Sequence, residues 1–394
     1  MTRVCMVAFT DFATDARVRR EAEALAERGD TVDVICLRGA GEGRAIRNIR
    51  THGLSKFRYR GSNPLGYIAQ YVLFLVYATL VVGTLHILRR YRIVQVHTMP
   101  DFMVFSAIVP KLLGAKVVLD VHDLSPQLYQ SKFDLPESSP LIRLLTWVER
   151  RSIAFADAAI AVHEPHLAEL VRHGNPRRKF SVVMNAADPA IFPLRAEAPP
   201  KDGFRLVYHG TISQRHGLEV AVRAVAQARR QVDGLEFLVL GDGDDVDRIA
   251  RLTSELGIRA NVTVRRGFVP IEQLPQVLAD ADVGVVPIYD DPFTRFMLPV
   301  KLLEYAALGI PAICTSTETI RAYFDDTMVR FVAPGDPDDL AAAIVELYRD
   351  PERRQRLSDG ARLFDERHGW EAERSRYYEL IDSLVRTARN GGRR

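Results

Sequence analysis

The segment FMLPVKLLEYAALGIP, residues 296–311, concentrates the residue types that could handle a phosphorylated ligand. Pro299 suits the first turn of a helix, Gly309 its end, and Pro311 the opening of the next strand. A helix N-terminus offers free N–H groups and the positive end of its dipole, a natural seat for phosphate. Lys301 in that first turn adds a full positive charge. Glu304 falls on the same face one turn later, where a carboxylate can accept hydrogen bonds from a ribose diol. On an isolated surface helix this Lys and Glu would be a solvated pair. Their place after the strand-like VGVVPI (283–288) favours a ligand instead, because open α/β sheets bind ligands beyond the carboxyl ends of their strands.

Three other places carry polar residues at such strand ends. In YHGTISQRHGLEVAVRAVA (208–226) a strand ends at His209-Gly210, and Arg215 and His216 sit where a loop could bring cations to a diphosphate. The bland alternative is a basic surface loop. His122 follows KVVLDV with Asp123 beside it, and His97 ends the preceding strand. Either histidine could contact a sugar hydroxyl or a reacting centre, or be a hydrogen-bonded structural residue. Asp242-Gly243-Asp244 has the form of a divalent-cation motif, and Gly241 with Gly243 half-matches a dinucleotide fingerprint. A tight strand-to-helix turn with an acidic helix start explains that segment without a ligand.

The elements that must hold these residues are legible as alternating strands and helices. The runs at 3–8, 31–37, 93–97, 116–122, 158–163 and 180–185 are almost continuously apolar, as strands covered on both faces are. Asp15 can cap the first helix, Val18, Ala22 and Leu25 line one face of it, and Gly29 ends it. A Pro-rich passage at 187–203 reads as a linker, after which strands recur at 205–210, 235–241, 261–267, 281–288, 311–316 and 328–333. The expected fold class is α/β, with two Rossmann-like doubly wound domains facing across a cleft. The expected domains are 1–190 on the acceptor side, a linker at 191–203, and 204–370 for the nucleotide, with a helix from 371 packing back on the first domain.

Composition narrows the partners. A net charge of +3 with no basic run interleaved with aromatics argues against nucleic acid. Cys5, Cys36 and Cys314 lie in apolar runs without metal-ligand spacing, and MTRVCMVAFT reads as a first strand rather than an export signal. Both point to the cytoplasm. The apolar stretch 67–88 is about as long as a membrane span, but Gln70, Thr79, Gly83, Thr84 and His86 interrupt it. A buried helix explains it best, ahead of one lying on a bilayer surface and then of a true span. Arg89, Arg90 and Arg92 would suit an anionic surface.

In order and spacing these motifs resemble glycosyltransferase family 4, whose fold is called GT-B. The resemblance runs from DARVRREAEALAERGDTVDVI through GAKVVLDVHD, VVMNAADPAIFP, YHGTI and ADVGVVPI to LLEYAALGIPAI, and is nearest to the branch building bacterial cell-surface polysaccharides and glycolipids. It implies retaining transfer from a UDP-sugar, or a GDP-sugar, with no essential metal and no other cofactor. By that similarity Glu304 holds the ribose, Arg215 and Lys301 neutralise the departing diphosphate, and His122 lies near donor sugar and acceptor. Asn185 and Asp188 match the family's segment at the domain crossing, with Ala186 in place of a glycine. The expected donor pocket adds Gly210, Thr211, His216, Gly241, Phe268, Leu298 and Pro299, and the acceptor side Asp15, Arg17, His97 and Asp123. The acceptor is a glycan, a lipid-linked or a small molecule, and work at the inner face of the membrane fits it. The nearest rivals are a nucleotide-sugar epimerase or hydrolase of the same fold and a non-catalytic two-domain binding protein. Three positions depart from the family: Phe296 stands where its first glutamate is expected, QRHG (214–217) replaces a lysine-glycine, and FTDFATDA (9–16) has no glycine.

Overall fold

The computed structural model describes residues 1–37, 46–54, 64–195 and 202–391. The chain divides into two compact units, Met1–Met184 with Glu373–Arg394, and Asn185–Ala372. Within the expected linker, residues 196–201 lie outside the described residues.

The first unit holds a parallel sheet of β1 (Arg3–Asp11), β2 (Thr31–Leu37), β3 (Ile49–Leu54), β4 (Ile93–His97), β5 (Lys116–Val121), β6 (Ala158–Ala161) and β7 (Phe180–Val182), in the order β3-β2-β1-β4-β5-β6-β7. The second holds β8 (Phe204–His209), β9 (Leu235–Gly241), β10 (Val262–Arg266), β11 (Val283–Val286), β12 (Ala312–Thr315) and β13 (Arg330–Val332), ordered β10-β9-β8-β11-β12-β13. Each order reverses once, at β1/β4 and at β8/β11, and such a switch point opens a crevice beyond the strand ends. The central strands β4 and β5, and residues Val4 to Ala8 of β1, are nearly wholly buried because helices cover both faces, which is why they read as almost continuous apolar runs. The final helix, Trp370–Gly391, adds Tyr377, Leu380, Ile381 and Leu384 to the core of the first unit.

The stretch expected as a buried helix is a helix, Pro64–Arg89, but only one side of it is covered. Gln70, Phe74, Ala78, Val82 and His86, spaced four apart, are buried. Ile68, Val72, Leu73, Val76, Leu80, Ile87 and Leu88 are exposed. Continuous apolar composition conceals which face packs, so the expectation of full burial fails on the outer side.

Candidate functional site

In the second unit, the helix Val300–Leu308 follows β11 at the switch point. Pro299 stands just before the helix, as its N-cap, rather than inside the first turn, and Gly309 ends it in the left-handed conformation at φ +69°. Gly284 of β11 lets this helix seat, because a Cβ there would lie 2.4 Å from the Tyr305 ring. The Tyr305 hydroxyl then donates to the Val207 carbonyl at 3.2 Å. The result is that Lys301 and Glu304 are drawn inward, 9% and 7% exposed.

Lys301 Nζ lies 4.0 Å from the centre of the Tyr208 ring, and a Cβ on Gly210 would be 3.6 Å from that nitrogen. Burial pushes Lys301 down to about 7, with Glu304 opposing the shift. His209 Nε2 is 3.2 Å from Glu304 Oε2, and burial followed by Lys301 lowers His209 to about 3. Arg215 and His216 lie in the turn Gln214–His216, with the guanidinium 5.4 Å from the Phe293 ring centre and His216 Nδ1 3.0 Å from Ser213 Oγ. Burial, Lys301 and then Arg215 hold His216 near 3. Four basic side chains, Lys301, His209, Arg215 and His216, therefore share one field, and an anion that brings negative charge to it lets Lys301 regain its proton.

Among the remaining expected donor residues, Thr211 is exposed while Gly241 is buried at the end of β9. Its carbonyl accepts from Gly267 N at 3.1 Å, which sets the exposed Phe268 beside it. Leu298 is half-buried, Pro299 is buried, and Phe296 lies in the single turn Thr294–Phe296. The Asp242-Gly243-Asp244 segment is a turn, in which Asp242 Oδ1 accepts from Gly243 N at 2.9 Å.

In the first unit the register pairs His97 with Asp120, and His122 lies two residues beyond Asp120 in the chain. Asp120 Oδ2 sits 2.9 Å from His97 Nδ1 and 3.2 Å from His122 Nε2, and the two imidazoles are nearly parallel with 3.2 Å between those nitrogens. Burial would raise Asp120, but His122, His97 and Arg17 together hold its carboxyl below the usual range. Burial outweighs Asp120 at His122 and lowers that imidazole to about 3. At His97 the opposite holds, since Asp120 overcomes burial and raises it. The three atoms lie within 4.8 Å of one another, and this two-nitrogen, one-oxygen set is one that a divalent transition metal could use.

Asp15 caps the helix Ala16–Glu27 through a 3.2 Å bond from Arg17 N, and also accepts from Arg17 Nε at 3.2 Å. Arg17 interacts electrostatically with Asp15, Asp123 and Asp120, so the expected acceptor residues form one charged group. Asp15→Ala is expected to cost about 1 kcal/mol of stability while Asp15→Asn keeps most of it, read by urea unfolding. Equal losses for both would show that the cap is not what Asp15 contributes.

Asp120, Tyr208 and His209 belong to these groups, and no motif in the sequence singles them out. The available signal was a polar side chain at the carboxyl end of an apolar strand. That signal separates from ordinary strand termini only once the register is known.

The chain matches two family models, "Glycosyl transferase 4-like domain" over residues 13–186 and "Glycosyl transferases group 1" over 203–350. It is 25% identical over 271 residues to alpha-D-kanosaminyltransferase of Streptomyces kanamyceticus, covering 65% of this chain and 67% of that one. It is 24% identical over 181 residues to the amylovoran biosynthesis glycosyltransferase AmsK of Erwinia amylovora, covering 45% of this chain and only 44% of the relative. In fold it is similar to Anabaena Alr3699/HepE, solved in complex with UDP-glucose, with a TM-score of 0.73, 15% identity and coverage of 97% and 100%.

Proposed function

The chain belongs to the glycosyltransferases of GT-B type that join a 4-like domain to a group 1 domain, and from that premise we propose that it moves a sugar from a UDP-sugar to a hydroxyl with retention at the anomeric carbon. The observation that carries this reading is the buried start of the helix Val300–Leu308, where Lys301, Glu304 and His209 converge with Arg215 and His216 nearby. The anomeric C–O bond breaks with its electron pair passing to the diphosphate, a new bond forms to the acceptor oxygen, and the proton of that hydroxyl passes to the departing diphosphate. Lys301, Arg215 and the helix N-terminus stabilise the charge on the leaving group, while Glu304 holds the ribose. No step needs a metal ion. The solved UDP-glucose complex of a similar fold supports UDP as the nucleotide.

On this reading His122 is the catalytic histidine, His97, Asp123, Asp15 and Arg17 serve the acceptor, a glycan or lipid-linked hydroxyl, and the enzyme works in the cytoplasm at the inner face of the membrane. The test is a thermal-shift panel with UDP, GDP, ADP and NAD, run both with and without EDTA. Saturation at a hundred times Kd adds about 2.7 kcal/mol of stability, so selective stabilisation by UDP is expected. A panel with no shift from any nucleoside diphosphate would refute the donor site. A UDP shift that EDTA removes would refute its independence of metal.

A further inference from the structure

The exposed side of the helix Pro64–Arg89 does not stand alone. The short helix Ile108–Leu112 packs against it, and a Cβ on Gly83 would meet Val109 at 3.5 Å. That helix and the residue after it leave Ile108, Leu112 and Leu113 uncovered. The neighbouring helix Pro140–Phe155 exposes Leu141, Leu144 and Trp147. It is tied to the segment before the short helix by the Phe105–Phe155 ring contact at 5.1 Å. Leu80 at 66%, Leu88 at 72% and Leu112 at 80% exposure are far from the ordinary scatter of single surface apolar residues.

Charge identifies the occupant. Between residues 68 and 117 the only carboxylate is Asp101, and between 140 and 155 it is Glu149. Both are buried. The same segments carry Arg89, Arg90, Arg92, Lys111, Lys116, Arg143, Arg150 and Arg151. Arg90, Arg92, Arg143, Arg150 and Arg151 are exposed. Lys111 and Lys116 pair with Asp157 at 2.7 and 3.4 Å and Arg89 pairs with Asp33, so among the described residues the apolar face is bordered by an excess of exposed arginines, and with a half-exposed tryptophan it matches an anionic bilayer in both its layers.

The geometry also distinguishes lying from crossing. The buried row from Gln70 to His86 follows the helix for most of its length, held by Phe9 against Tyr71 and Phe74 at 4.9 and 5.1 Å. A helix anchored to its own sheet over that distance cannot leave to span a membrane. We propose that the outer faces of Pro64–Arg89, Ile108–Leu112 and Pro140–Phe155 form one docking surface for an anionic lipid bilayer, into which the first helix sinks side-on. This deepens the membrane placement proposed above and rests on it.

Flotation of the full chain with phosphatidylcholine vesicles, with and without phosphatidylglycerol, tests it. Binding is expected to the anionic vesicles, to weaken in high salt, and to be released by alkaline carbonate. Val76→Glu with Leu80→Glu should lower vesicle binding more than tenfold, and Arg90→Gln with Arg92→Gln should weaken it about fivefold per cation. Both variants should keep the wild-type melting temperature and UDP-induced shift, so that loss of lipid binding is not loss of the donor site. Equal vesicle binding by the variants, self-association through this face without lipid binding, or retention after carbonate would each overturn the proposal.

Discussion

Lys301→Ala is expected to lower turnover about 10²–10³-fold while the second unit stays folded, because one preorganised contact to developing charge is worth about that much. The fold survives because the amine is buried at a cost that an apolar replacement removes, and Glu304, which loses that charge, keeps His209 at 3.2 Å. The same lysine sets a pH dependence whose sign is fixed. In the free protein burial lowers it to about 7, and a diphosphate favours its ammonium form, so nucleotide binding takes up a proton. Affinity for UDP should be flat below that pH and fall above it, by about tenfold per pH unit at most. Calorimetry across pH 6–9 measures both slope and proton uptake, and Lys301→Ala should abolish both. An alanine variant with near-normal transfer and an unchanged slope would remove Lys301 from the mechanism.

Asp120→Ala is expected to destabilise the first unit by about 3–5 kcal/mol, since it strands two buried imidazoles that one carboxylate oxygen now serves. Asp120→Asn, which keeps the shape but not the charge, should cost less. The carboxyl is held below its ordinary 3.8, so its contribution is present above that pH and is lost as pH falls through the folded value. Urea unfolding at several pH values should therefore show wild type and variant converging in acid. A loss under about 1 kcal/mol at neutral pH would mean that the cluster relaxes without Asp120, and His122 would need another support. If His122 is the catalytic histidine, transfer should fall in Asp120→Asn beyond what its stability loss explains, with UDP binding unchanged.

The architecture was legible from residue order wherever its physics is local. Strands packed on both faces need apolar side chains at most positions, so β1, β4, β5 and β9 announced themselves, as did helix boundaries at Asp15 and Gly309. β3 escaped because it is an edge strand whose side chains are mostly exposed or half-exposed, and IRTHGL has no apolar run to betray it. The charges at the start of Val300–Leu308 were legible because a helix terminus and its cations adjoin in sequence. The grouping of His97, Asp120 and His122 was not, because register between strands set 20 or more residues apart decides it.

Tertiary packing alone decided two further things. It buried Lys301 against Tyr208, which turns an ordinary lysine into one poised near neutrality. It also chose which side of Pro64–Arg89 faces the sheet, since a helix apolar all round carries no periodic mark of its own. Local pattern records what each segment must bury, whereas which distant groups share a buried space depends on the strand order and helix seating of the folded units.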